Sequence, residues 1–205
     1  MNSASDDFFS KHLAGVPIVL ILRNMSPEKS KEMARLAWNL GIVLVEVPIT
    51  SSESIESLKA VIGESKGDLE LVGAGSLKSV EQVRTCIDLG VKFGVSPGTS
   101  IEVATAVASV QLPWLPGVAT SSDIMVACSF GHTWLKVFPA ETLGVNWLKA
   151  QAGPFPEVSF VATGGVSATN AGEWLMGGAS ALGIGGGAAN PETLREIVKV
   201  AVERP

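Results

Sequence analysis

Short apolar runs alternate with longer segments of helical period from residue 17 nearly to the end of the chain. The runs read "PIVLIL" (17–22), "IVLVEV" (42–47), "LELVGA" (69–74), "KFGVS" (92–96), "LPWLP" (112–116), "TWLKVF" (133–138), "VSFVAT" (158–163) and "ALGIG" (181–185). The segments between them, such as "SPEKSKEMARLAWNLG" and "NPETLREIVKVAVE", mostly begin with Ser, Thr or Asn, and several end in Gly. Those residues cap helix starts and stops. The pattern gives eight βα units whose strands are apolar enough to require cover on both faces. Eight such units within 205 residues predict a compact (β/α)8 TIM barrel rather than an open doubly wound sheet. The barrel is expected to form one domain over residues 1–205, with residues 1–15 as an N-terminal extension. The first 13 residues precede the first strand and are expected to form a helix across the barrel bottom. No linker, low-complexity tract or second domain is visible.

In such a barrel the chemistry sits at the C-terminal ends of the strands. Those ends carry Arg23, Glu46, Ser76, Ser96, Thr120, Lys136 and Thr163, and the opposite ends show nothing comparable. Lys136 and Glu46 stand out because they lie within apolar strands rather than after them. Period-two alternation places Trp134, Lys136 and Phe138 on one face, and Ile42, Leu44 and Glu46 on one face of the second strand. With both faces inward, an amine and a carboxylate share the barrel mouth. Burial lowers a lysine pKa and leaves a nucleophilic free amine, which attacks ketones to form a Schiff base. A nearby carboxylate then shuttles protons, directly or through a water. A buried ion pair of purely structural role is the competing reading of the same two residues. Lys92, at the start of its strand, serves solvation or stability at the bottom rim.

Glycine-rich stretches follow strands seven and eight: "ATGGVS" (162–167) and "GIGGGAAN" (183–190). Barrels often hold a phosphate there with backbone N–H groups and a helix N-terminus, which makes Gly164, Gly165, Gly186 and Gly187 the candidate anion cradle. Tight turns explain either loop alone about as well, and both together less well. Neither is a dinucleotide fingerprint and no "GxxxxGK[ST]" occurs, so no nucleotide cofactor is indicated.

Composition narrows the remaining classes. Hydrophobic residues make up 46% and charged residues 17%, enough for a sizeable core. A net charge of −5 without a basic run argues against a nucleic-acid or membrane-surface partner. Cys86 and Cys128 lie far apart with no CxxC or clustered His, so they read as helix packers rather than disulfide or zinc ligands. His12 and His132 read as surface residues, Trp38, Trp147 and Trp174 as helix packing, and Ser121 and Ser122 as helix caps. The N-terminus is polar and acidic, and no apolar stretch reaches the roughly 18 residues of a membrane span. A cytoplasmic location is therefore expected.

The motifs "ILR", "VEVPITS", "GAGS", "SPG", "PGVAT", "LKVFPAE", "GPFP", "TGGVS" and "GIGGG" follow one another over about residues 16–190. In this order they resemble the family of 2-keto-3-deoxy-6-phosphogluconate (KDPG) aldolase and 4-hydroxy-2-oxoglutarate (KHG) aldolase. The resemblance implies a class I aldolase on a (β/α)8 barrel, a homotrimer, cleaving a 2-keto-3-deoxy sugar acid into pyruvate and an aldehyde without metal or other cofactor. It makes Lys136 the Schiff-base lysine and Glu46 the general acid/base. Arg23, Thr50, Ser76, Pro97 and Thr163 fall in the substrate-binding set, and Gly164, Gly165, Gly186 and Gly187 in the phosphate loops. Two positions depart from the family pattern: Thr50 stands where some members carry a substrate-binding arginine, and Gly187 where a serine often ends the second phosphate loop. The first departure points to Arg23 as the cation for the substrate carboxylate. "EVPITS" is closer to the galactonate-pathway branch, which leaves the C4 epimer open. An isomerase of sugar phosphates and a non-catalytic sugar-phosphate sensor are the rival readings of the same pocket.

Overall fold

The computed structural model describes residues 4–67 and 69–203. Its strands are β1 (Ile18–Ile21), β2 (Leu44–Pro48), β3 (Leu71–Gly75), β4 (Phe93–Val95), β5 (Trp114–Leu115), β6 (Gly117–Val118), β7 (Trp134–Val137), β8 (Ser159–Thr163) and β9 (Ala181–Ile184). All pair in parallel, in the order β5-β4-β3-β2-β1-β9-β8-β7-β6. The two outermost strands of that order, β5 and β6, are halves of one run interrupted by Pro116, which has no N–H to give to the ladder. One half pairs with β4, the other with β7, and the sheet closes into an eight-stranded barrel. The fifth apolar run thus extends beyond its expected end at residue 116, to Val118.

Around the barrel lie α2 (Pro27–Asn39), α3 (Ser52–Glu64), α4 (Val80–Leu89), α5 (Ile101–Ser109), α6 (Ser121–Ser129), α7 (Ala140–Leu143), α8 (Val145–Ala152), α9 (Ala171–Met176) and α10 (Pro191–Val202). Cap chemistry fixes most of their starts. Ser26, Ser51, Ser79, Ser100, Thr120 and Asn190 each accept a backbone N–H three residues on. Thr120 rather than Ser121 or Ser122 caps α6, where it forms a reciprocal box with Asp123. The one-turn α7, inside "FPAETL", has too few residues for periodicity to reveal.

Two apolar layers result. The larger joins the outer faces of the strands to the helices. The smaller fills the barrel interior with Val19, Leu44, Leu71, Phe93, Val95, Leu115, Trp134, Val161 and Ala181, drawn from every strand except β6 and plugged from below by Phe9 and Leu13. Phe9 belongs to α1 (Ala4–His12), the expected helix across the bottom; residues 1–3 of the extension lie outside the described residues. Side chains of α1 also take up backbone donors at the strand starts: Asp6 accepts from the N–H groups of Thr133 (2.9 Å) and Trp134 (3.1 Å), and Ser5 from that of Trp114 (3.1 Å). Ser10 accepts from the indole N–H of Trp134 at 2.9 Å.

The same region corrects the surface assignment of His132. Its ring is buried at 6% exposure, edge-on to Trp114 at 5.1 Å, and burial pushes its pKa down against the opposing pull of Asp6. Lys92 is exposed at the bottom rim, as expected. Cys86 is a buried packer on α4, and Cys128 a half-buried one on α6; both thiols are free. Among the described residues, no helix is long and apolar enough to cross a membrane.

Candidate active site

The strand register builds the mouth. Leu44 lies in the interior layer, so Glu46, two residues on, points inward one layer higher, opposite Ile21 and Gly73. Trp134 likewise places Lys136 inward, opposite Gly117 and Val161, and Val161 places Thr163 opposite Gly183. Ile42 does not share this face: the strand begins at Leu44, and Ile42 packs in the outer layer. Missing side chains make the room for these polar ones. A Cβ at Gly75 would overlap the Glu46 carboxylate, and one at Gly183 would overlap the Thr163 hydroxyl.

Glu46 is 1% exposed and Lys136 3% exposed. The ion pairs among the described residues all lie on α2 and α3, and Lys136–Glu46 is not one of them. The two groups feel each other through space without touching, which removes the contact that a structural salt bridge requires. Burial raises the Glu46 pKa from the ordinary 4.5 to about 7, with Lys136 and then Arg23 pulling against it. Burial pushes the Lys136 amine down; Glu46 opposes that shift and Arg23 adds to it. One oxygen of Glu46, Oε2, is buried without a hydrogen-bond partner. The Lys136 nitrogen lies 5.1 Å from the centroid of the Phe138 ring.

Phe138 also lines the cavity above. That cavity, of about 200 Å³, is bounded by Ile21, Arg23, Phe138 and Thr163 at the strand ends and by Gly164, Gly165, Val166, Gly185 and Gly186 in the two glycine loops. Glu141 lies against Gly165, whose φ of 81° and lack of a Cβ let the chain pass beneath it. Five of the expected residues meet here at once: Arg23, Thr163, Gly164 and Gly165, with Gly186 from the second loop.

Other expected residues are placed elsewhere. Thr50 lines a separate cavity of about 290 Å³ with Asn24, Ser26, Ser51 and Ser54. Pro97 lines a third, beside Lys78 and Ser100. Ser76 follows β3 half-buried with φ of 62°, and Gly187 is exposed beyond Gly186. Two members of the polar rim have structural tasks: Ser96 accepts the indole N–H of Trp114 at 2.8 Å, and Thr120 caps α6. Sequence reasoning missed Ile21, Phe138, Val166, Gly183 and Gly185 as lining residues. Gly183 and Gly185, inside the glycine run, and Phe138, on the face of Lys136, carried a signal; Ile21 and Val166 carried none. Among the described residues, no group of three or more His, Cys, Asp or Glu side chains is gathered as for a metal ion.

Residues 10–199 match the family described as KDPG and KHG aldolase. The chain belongs to that family. A KHG/KDPG aldolase of Escherichia coli K12 is 32% identical over 78% of this chain and 74% of its own length. The 2-dehydro-3-deoxy-6-phosphogalactonate aldolase of the same organism is 29% identical over 83% of each. The KDPG aldolase of Legionella pneumophila, crystallised with pyruvate captured as a covalent carbinolamine, superposes with a TM-score of 0.81 at 26% identity, covering 95% of this chain and 96% of that one. This aldolase is accordingly a carbon–carbon lyase of the class I type on a (β/α)8 barrel.

Proposed function

We propose that this aldolase cleaves a 2-keto-3-deoxy-6-phospho sugar acid into pyruvate and glyceraldehyde 3-phosphate, with Lys136 as the Schiff-base lysine. The observation that carries the reading is a lysine nine-tenths buried, without a paired carboxylate, beneath a cavity whose far wall is two glycine loops. Burial pushes the Lys136 pKa down, which favours the free, nucleophilic amine. The amine adds to C2 of the keto acid, the carbinolamine loses water, and the resulting iminium withdraws electrons from C3. Glu46, acting through a water, takes the C4 hydroxyl proton as the C3–C4 bond breaks and the aldehyde leaves. The proton returns to the enamine carbon, and hydrolysis of the imine releases pyruvate. A carboxyl with a pKa of about 7 is suited to both transfers near neutral pH. The unpartnered Oε2 is the oxygen to which this scheme assigns the transfer.

Arg23, the only charged side chain lining the cavity among the described residues, neutralises the substrate carboxylate in place of the arginine replaced by Thr50, with Ser76 adding a hydroxyl. Gly164, Gly165, Gly186 and Gly187 take the phosphate through backbone N–H groups. The test is borohydride reduction in the presence of pyruvate, which must leave a three-carbon adduct on Lys136; an unlabelled protein, or full activity in Lys136→Ala, sinks the scheme. A lactate dehydrogenase coupled panel over both C4 epimers, with and without phosphate, then identifies the substrate. The exposed Gly187, with no side-chain donor, favours a second reading, turnover of unphosphorylated 4-hydroxy-2-oxoglutarate, and equal turnover in that panel would select it.

A homotrimer in the cytoplasm completes the proposal. Of the apolar residues on and just after α6, for which an interface and core packing are equal alternatives, Ile124 is in the core, whereas Met125 is 63% exposed and Val126 and Phe130 are half-buried. A stable monomer at micromolar concentration in sedimentation would overturn the trimer.

A further inference from the structure

The two glycine loops are held by the same device. In the first, the Glu141 N–H donates to the Gly164 carbonyl at 2.9 Å, and Asn170 Nδ2 donates to the Gly165 carbonyl at 2.9 Å. In the second, the Ala189 N–H donates to the Gly186 carbonyl at 3.1 Å, and Asn190 Nδ2 donates to the Gly187 carbonyl at 2.7 Å. Each asparagine uses both ends of its amide. Asn170 Oδ1 accepts the Ser167 N–H at 2.8 Å, and Asn190 Oδ1 accepts the Thr193 N–H at 3.1 Å. None of these four donors lines the cavity.

A trans peptide points its N–H opposite to the preceding carbonyl, so fixing one fixes the other. With the carbonyls of Gly164, Gly165, Gly186 and Gly187 engaged, each following N–H is turned the other way. No backbone hydrogen bond among the described residues uses the N–H of Gly165, Val166 or Gly187. A glycine loop without such ties is soft, because rotating its peptides meets no Cβ. A rotated peptide would offer an anion its carbonyl oxygen instead of its N–H.

We propose that Asn170 and Asn190 are positioning residues that hold the two loops with their N–H edges available, and so set the affinity for the phosphate end of the substrate. The inference rests on the reading of this cavity as a phosphate site. Neither asparagine touches the reacting carbons, so the imine chemistry at Lys136 is independent of them.

The experiment uses the full chain with Asn190→Ser and Asn170→Ala. Serine caps a helix as well as asparagine does but is too short to reach the Gly187 carbonyl, which separates bracing from capping. Steady-state rates are measured on the phosphorylated keto acid and on its unphosphorylated analogue, with borohydride trapping of pyruvate as a readout of the imine step alone. Each variant should raise KM for the phosphorylated substrate about three- to tenfold, the worth of one hydrogen bond, with kcat changed less than about twofold. KM for the unphosphorylated analogue and pyruvate trapping should stay at the wild-type level. A merely structural role predicts that both substrates and trapping suffer together, and that result overturns the inference. If Asn170→Ala does not fold, Asn190→Ser decides alone. A wild type that handles both substrates equally refutes the phosphate reading and the inference with it. A wild type that discriminates, with variants that match it, refutes only the bracing role.

Discussion

Replacing Glu46 by glutamine should make the protein more stable above neutral pH while removing its activity. The folded chain holds this carboxyl at a pKa of about 7 against an ordinary 4.5, chiefly because burial penalises the anion. A carboxyl whose pKa is raised by folding contributes stability that is fully present below its unfolded pKa and disappears as pH rises through its folded pKa. The shift corresponds to about 3 kcal/mol, lost mostly between about pH 5 and about pH 8. Glutamine has the same shape and no titration, so the variant lacks that loss. Any cost of its amide in the pocket is the same at both pH values and cancels in the difference. The assay is urea unfolding, or melting temperature, of wild type and Glu46→Gln at the two pH values. The variant should gain about 2–3 kcal/mol relative to wild type on going to the higher pH, a relative shift of about 6–10 °C for a chain of this size. A stability difference that is independent of pH, or one that moves the other way, refutes the assignment of Glu46 as a carboxyl destabilised by burial. Aldol cleavage by the variant should fall by at least about a hundredfold, because the amide can no longer exchange the proton.

Three further outcomes test the scaffold around this pair. Gly75→Ala sets a methyl where the Glu46 carboxylate lies, so kcat should drop about a hundredfold with circular dichroism unchanged; wild-type turnover would mean that Glu46 has freedom to move. Asp6→Ala leaves the N–H groups of Thr133 and Trp134, at the start of β7, without their carboxylate acceptor and should lower unfolding free energy by about 3 kcal/mol in urea titration. Gly187→Ser adds a side chain into open space, so stability should hold, and KM for the phosphorylated substrate should fall while pyruvate trapping stays constant.

The barrel was legible in the chain because its signals are local: alternating apolar runs, Ser and Thr caps, and glycines at the helix ends. The inward lysine and glutamate were legible for the same reason, since strand periodicity alone fixes which way they point. The misreadings share a different cause. His132 looks like a turn residue until Trp114, from another strand, lies across it. Ser96 looks like part of a polar rim until the indole of Trp114 reaches it. In each case the deciding neighbour is distant in sequence, and no window of residues contains it. Asn170 and Asn190 escaped notice for a related reason: an asparagine before a helix reads as a cap, and its second hydrogen bond leaves no mark on the pattern.

The attachment of α1 to strands far along the chain bears on how a ribosome can deliver this protein. Ser5 waits for Trp114, 109 residues later, and Asp6 for Trp134, 128 residues later. At about 5–20 residues per second, the first helix is exposed for roughly 6–25 seconds before its binding site exists. Throughout that interval Phe9 has no interior to enter, and β1 lacks β9, which is made later still. Closure of the barrel therefore waits until β9 has been made. An early pause costs little in this scheme, whereas a truncation before residue 181 leaves both the plug and the first strand without their final partners.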